Sequence, residues 1–148
     1  MIAIDEASHE DIPQLSDLLD ILFEQEQEFQ PDRQKQTRAL ALLVGNPQRG
    51  RVFVLRENGA LLGMVSVQVL VSTARGGDVL LMEDLVVRPA HRNRGFGAAL
   101  VEHVIDFARC NGYSRITFLT DTVNQDAQRF YARHGFTASD MIPYRMLF

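Results

Sequence analysis

The chain has 148 residues and only one cysteine, Cys110. No intrachain disulfide can form, and a reducing compartment is the simpler setting. A basic surplus is also missing, since the formal net charge is −4. This argues against nucleic acid as a partner, because binding it requires a basic face that displaces counterions. No stretch approaches the roughly 20 apolar residues that span a bilayer. The opening residues Met1-Ile2-Ala3-Ile4-Asp5-Glu6 lack the basic start of a secretory leader. There is no repeat, no low-complexity tract and no linker rich in Pro, Gly or Ser. These absences predict one domain over 1–148, cytoplasmic and with no membrane partner. His9, His91, His103 and His134 are scattered without ligand spacing, which predicts surface residues and no metal. Cys110, near the end of a predicted helix, reads as a small buried residue rather than a nucleophile.

The pattern that is present alternates between two periods. Residues 2–6 read as a short strand, and Ser8 followed by Asp11 is a helix-start signal. Ile12, Leu15, Leu18, Leu19 and Leu22 recur at helical spacing, predicting a helix to about Phe29, before Pro31. A second helix is predicted over 32–44. Strands are predicted over 51–56 and 61–72, joined by Asn58-Gly59, a two-residue turn whose central positions need positive φ. A third strand covers 79–87 and is interrupted by Glu83-Asp84. Leu100, Val101, Val104, Ile105 and Ala108 then give a helix over 95–112 its buried stripe. A strand over 116–119, a helix over 125–134 and a final strand over 141–148 complete the order. An antiparallel meander leading into a strand–helix–strand crossover predicts an α/β fold, a mixed and mostly antiparallel sheet with helices on both faces.

The most informative stretch runs from Leu85 to Ala98: a strand end, a short basic loop, then two glycines opening a helix. Amides in the first turn of a helix have no intrahelical acceptor and sit at the positive end of its dipole. A pyrophosphate can satisfy them. Gly95 and Gly97 would admit the phosphates close to the backbone, and Arg92 and Arg94 add positive charge. The stretch Gly95-Phe96-Gly97-Ala98-Ala99-Leu100 has only two of the three glycines of a dinucleotide fingerprint, and a P-loop is excluded for want of Gly-Lys-Ser/Thr.

Arg92-x-x-Gly95-x-Gly97, with Leu85-x-Val87-x-Pro89 upstream, resembles the acetyl-CoA motif of the GNAT superfamily of N-acyltransferases. Asn124-x-x-Ala127-x-x-Phe130-Tyr131-x-x-x-Gly135-Phe136 resembles a second signature of that family. The resemblance covers essentially the whole chain. It implies acetyl-CoA as cosubstrate, with the pyrophosphate held by the amides around Arg92, Asn93, Arg94, Gly95, Phe96, Gly97 and Ala98. It also implies that the strand edge at Leu85, Val86 and Val87 pairs with the pantetheine arm, and that an amide there polarises the thioester carbonyl. Asn124 would fix the pantetheine arm or the local backbone. Tyr131 would face the sulfur as acid, and by residue pattern alone it is also an apolar-face aromatic beside Phe130.

Glu83 and Asp84 are adjacent, so in a regular strand they point to opposite faces, Glu83 with Leu81, Leu85 and Val87. The pair resembles that of the polyamine-acetylating branch, where the glutamate acts as base. A bulge would disturb this facing and keep Asp84, or a water chain, in contention for the role. Glu24, Glu26, Glu28 and Asp32 read as a solvated acidic face, although this region borders the acceptor site in the family. The expected activity is direct acetyl transfer to a primary amine of a small molecule or peptide, with a homodimer possible. The competing expectation is a CoA-binding regulatory module of the same fold without turnover.

Overall fold

The computed structural model describes residues 1–26 and 28–148. Its elements run β1 (Ile2–Glu6), α1 (Ile12–Gln25), α2 (Arg33–Leu43), β2 (Gly50–Glu57), β3 (Ala60–Ser72), β4 (Gly77–Val87), α3 (Phe96–Cys110), β5 (Ile116–Thr117) and α4 (Gln125–Arg133). The sheet order is β1-β2-β3-β4-β5, antiparallel except for the parallel β4–β5 pair. Asn58 and Gly59 turn β2 into β3 with φ of 50° and 85°, as the dipeptide predicted.

Strands β2 and β3 are buried on both faces. Val52, Val54, Leu61 and Met64 pack with Leu15, Leu18, Leu19 and Leu40 of α1 and α2. Phe53, Leu55, Val65 and Val67 pack with Leu100, Val101 and Val104 of α3. The helices thus cover opposite faces of one sheet. The helix-start signal is formed: Ser8 N–H donates to Asp11 Oδ2 at 2.8 Å ahead of α1. Asp11 is buried and also accepts from Arg56 Nη2 at 2.8 Å, tying α1 to β2. The Arg56 hydrogen bond holds the Asp11 carboxyl below its ordinary range. Its stabilisation is present above the unfolded pKa and is lost as pH falls through the folded one. Arg56→Met should cost about 1–3 kcal/mol near neutral pH by leaving this buried carboxylate with its Ser8 bonds but no cation. Urea unfolding of wild type and variant at pH 7 measures that difference.

Four expectations need correction. Helix α1 stops at Gln25, because Glu26 turns extended at φ −99° and ψ 140°; Gln27, inside the predicted helix, lies outside the described residues. Strand β5 pairs over Ile116 and Thr117 only, and the Phe118 ring turns away to stack on Tyr131 at 3.7 Å between centroids. The strand expected over 141–148 has no ladder partner among the described residues. Short β5 offers little edge, and Pro143 removes a ladder donor; Arg145 instead reaches Glu28 Oε2 at 2.6 Å. Cys110 is exposed rather than buried, on the outer side of the last turn of α3. No helix among the described residues is long and apolar enough to cross a membrane.

Candidate active site

The interruption at Glu83-Asp84 is a β-bulge. Ser66 pairs with Glu83 and Met64 with Val86, so two steps along β3 are matched by three along β4. Asp84 absorbs the extra residue with φ 55°, in a left-handed region that Asp tolerates better than most residues. The slip inverts the alternation. Leu80 and Met82 face α3 before the bulge, and Leu85 and Val87 face α3 after it. Glu83 shares the α1 face with its partner Ser66, and Asp84 reaches that same face, its Oδ2 lying 3.0 Å from Ser66 Oγ. The regular-strand expectation, which sent the two carboxylates to opposite faces and grouped Glu83 with Leu85 and Val87, is therefore overturned.

Beyond the bulge, β4 and β5 separate. Their pairing ends at Leu81 and Thr117, so the rest of β4 has a free edge on the β5 side. Arg88 N–H donates to Leu62 O at 2.8 Å. Bonded and outward-pointing amides alternate in an antiparallel ladder, so Val86 bonds to β3 while Leu85 and Val87 direct their N–H groups into the gap. Val86 itself is core, 5% exposed on the α1 face.

The gap leads to the start of α3. Asn93 and Gly95 both have positive φ, 63° and 80°, which coils the loop tightly into the helix. The first helical bond is Ala99 N–H to Gly95 O at 3.0 Å, leaving the amides of Phe96, Gly97 and Ala98 without intrahelical acceptors. Arg92 Nε donates to Val87 O at 3.3 Å and so braces the strand end. Arg94 does not stand free for phosphate. Its guanidinium pairs with Glu57 at 2.5 Å and lies 4.6 Å over the Phe96 ring. At Gly97 a Cβ would meet only Phe130 Cζ, at 3.8 Å, so the first turn of α3 opens toward α4. This cradle of free amides, adjoining a free strand edge, fits a pyrophosphate joined to an extended amide-bearing arm. Among the described residues no cluster of His, Cys, Asp or Glu is arranged to hold a metal.

Helix α4 forms the other wall. Asn124 caps it, its Oδ1 accepting from Ala127 N–H at 3.1 Å, so this residue fixes local backbone. Tyr131 sits among Phe118, Phe130 and Phe136, with ring centroids at 3.7, 5.1 and 5.9 Å. Burial pushes its hydroxyl up to about 12.

The α1 face of the bulge is acidic. Burial raises the Glu26 carboxyl above its ordinary value, and the charges of Asp121, Glu28 and Glu83 push the same way. Glu83 is raised by burial, while Arg145 pulls it down. Of the acidic stretch, Glu26, with Glu28 beside it, thus belongs to the neighbourhood of the bulge, whereas Glu24 and Asp32 are exposed as expected of a solvated face. Asp121 and Arg145 join it through tertiary structure alone; nothing in their sequence neighbourhoods marks them.

A five-strand sheet splayed between β4 and β5, with an anion cradle at the mouth of the splay, defines the acyl-CoA transferase class of fold. The family model of the acetyltransferase (GNAT) family matches residues 13–136, and the chain belongs to that family. Streptothricin acetyltransferase of Streptomyces lavendulae is 34% identical over 93 residues, covering 62% of this chain and 47% of that protein. The chain spans about half the length of the curated relatives it matches. In fold it resembles a possible acetyltransferase from Clostridium difficile 630 (TM-score 0.91, 16% identity, 100% and 98% of the two chains). It also resembles a predicted acetyltransferase with acetyl-CoA from Clostridium acetobutylicum (TM-score 0.81, 15% identity, 99% and 96%).

Proposed function

We propose that this chain is an acetyl-CoA-dependent N-acetyltransferase that transfers the acetyl group directly to a primary amine of a small molecule or peptide. The observation that carries this reading is the continuity of the site. Unbonded amides at the start of α3 adjoin the free β4 edge, which leads to the carboxylates of the bulge. When bound, acetyl-CoA supplies the acyl carbon as a thioester. Amides of Phe96, Gly97 and Ala98 hold the pyrophosphate, and Leu85 and Val87 align the pantetheine arm. An amide of this edge polarises the thioester carbonyl, a contribution often worth several kcal/mol. Glu83 takes the proton that the cationic amine loses before its nitrogen bonds to the acyl carbon. Tyr131 delivers its hydroxyl proton to the departing sulfur as the C–S bond breaks, and recovers one from the nitrogen as the amide forms. The surplus of carboxylates around Glu83 favours an acceptor that arrives as a cation.

A coupled thiol-release screen across polyamines, amino-acid derivatives, aminoglycosides and peptide amines tests the activity. CoA binding without release in every class would reduce the chain to a CoA-binding module. Binding has its own test. Acetyl-CoA at 100-fold over Kd should raise Tm by roughly 5–10 °C. Gly97→Glu should abolish that shift while the variant stays folded, since its helical backbone accepts a Cβ and the new carboxylate opposes phosphate. An undiminished shift in differential scanning fluorimetry would remove this loop from the binding site.

A further inference from the structure

We infer that Asp84 is held as a neutral carboxylic acid that positions the β4 bulge, and is not the base. Ser66 Oγ lies 3.1 Å from the Glu83 carbonyl oxygen and 3.0 Å from Asp84 Oδ2. A hydroxyl has one proton to give, and a carbonyl oxygen can only accept. With Asp84 ionised, both neighbours of Ser66 Oγ compete for that single proton, and the two contacts cannot both be hydrogen bonds. With Asp84 protonated, every bond is made: Asp84 Oδ2–H donates to Ser66 Oγ, and Ser66 Oγ–H donates to Glu83 O. The relay pins both residues of the bulge to β3, at a serine that is 0% exposed.

The surroundings favour the neutral form. The acidic groups that interact with Asp84 are its chain neighbour Glu83 on β4 and Glu26 after α1, and Glu26 in turn has Glu28 and Asp121 beside it. The nearby cation, Arg145 of the C-terminal segment, is paired with Glu28. Burial raises the Asp84 carboxyl, with the Ser66 hydrogen bond opposing. The conformation points the same way as the chemistry. At φ 55° an asparagine is accommodated as readily as an aspartate. Its amide can donate to Ser66 Oγ as the neutral acid does. Because the bulge sets which amides point to the β5 side, those of Leu85 and Val87, the relay acts on acetyl-CoA binding through backbone placement. That second consequence rests on the proposed function; the protonation state does not.

The test therefore begins without any ligand. An acid whose folded pKa is raised contributes stability that is fully present below its unfolded pKa and is lost as pH rises toward the folded one. Tm of wild type and Asp84→Asn should be followed from pH 4.5 to 8. The difference, Asp84→Asn minus wild type, should grow more positive across that range. A difference that is flat, or that falls with pH, overturns the neutral assignment whether or not the protein is an acetyltransferase. Rescue tests the positioning role. Asp84→Ala should weaken acetyl-CoA binding about fivefold or more in calorimetry, the scale of one lost buried hydrogen bond, and Asp84→Asn should recover it. Equal affinities in Asp84→Ala and wild type would overturn that role.

Discussion

Replacing Tyr131 with phenylalanine should lower turnover by roughly 10²–10⁴ while leaving Tm and acetyl-CoA affinity almost unchanged, the usual range for one acid–base group. The ring contacts with Phe118, Phe130 and Phe136 survive this substitution, so packing is not the variable. What disappears is a proton. A phenol at about 12 giving its proton to a thiolate near 8.5 is uphill by about 5 kcal/mol. The same apolar surroundings that raise the phenol also raise a thiolate that departs into them, which narrows the gap. A transfer of that size fits within the barrier of an enzymatic step. The raised value carries a second consequence. Tyr131 stays protonated throughout the physiological range, so it should add no basic limb to a pH–rate profile below about pH 10. Single-turnover and steady-state rates with an active amine measure the first effect. Turnover within a factor of about three of wild type would leave Tyr131 as a packing aromatic.

The parts of this architecture legible in the sequence are those set by local chemistry. Asn58-Gly59 specifies its own turn, the Leu100–Ala108 stripe specifies a helix face, and the loop before Gly97 specifies free amides at a helix start. Less legible were features decided by strand pairing. Glu83-Asp84 shows in the sequence only as two acids inside an apolar strand. Which face they take depends on the register against Ser66 and Met64, and one added residue reversed the regular-strand assignment. Arg94 illustrates the same limit: its motif position suggests phosphate, yet Glu57, 37 residues earlier, captures it. The segment 141–148 has strand-like composition, but composition supplies no partner. Pairing over only Ile116 and Thr117 left it without one among the described residues. Asp121 and Arg145 converge on the bulge from distant loops, a convergence carried by no local pattern.

Glu83→Gln should lower the rate at neutral pH by roughly 10²–10⁴, with a deficit that shrinks as pH rises. The reasoning is a proton balance. An alkylamine near pKa 10.4 must be neutral to attack, and its deprotonation at pH 7 costs about 4.6 kcal/mol. A carboxylate beside the acyl carbon removes that proton within the site. Burial lifts the Glu83 carboxyl above its ordinary value, and Arg145 opposes that lift. A base with a raised pKa is a stronger proton acceptor once ionised, and it is lost as pH falls through that pKa. Wild-type kcat/KM should therefore show an acid limb placed above the ordinary glutamate range. Glutamine keeps the shape and cannot take a proton, so the variant should lose that limb and depend on free amine alone. Its rate should climb toward wild type as pH approaches 10, where neutral amine is abundant without help. Arg145→Gln gives an independent check of sign, since removing the cation should move the wild-type acid limb to higher pH. Profiles of kcat/KM from pH 6 to 10 for the three proteins test both statements. Coincident profiles for wild type and Glu83→Gln would make Glu83 a structural acid. With Asp84 held neutral by Ser66, the base would then have to be a water chain.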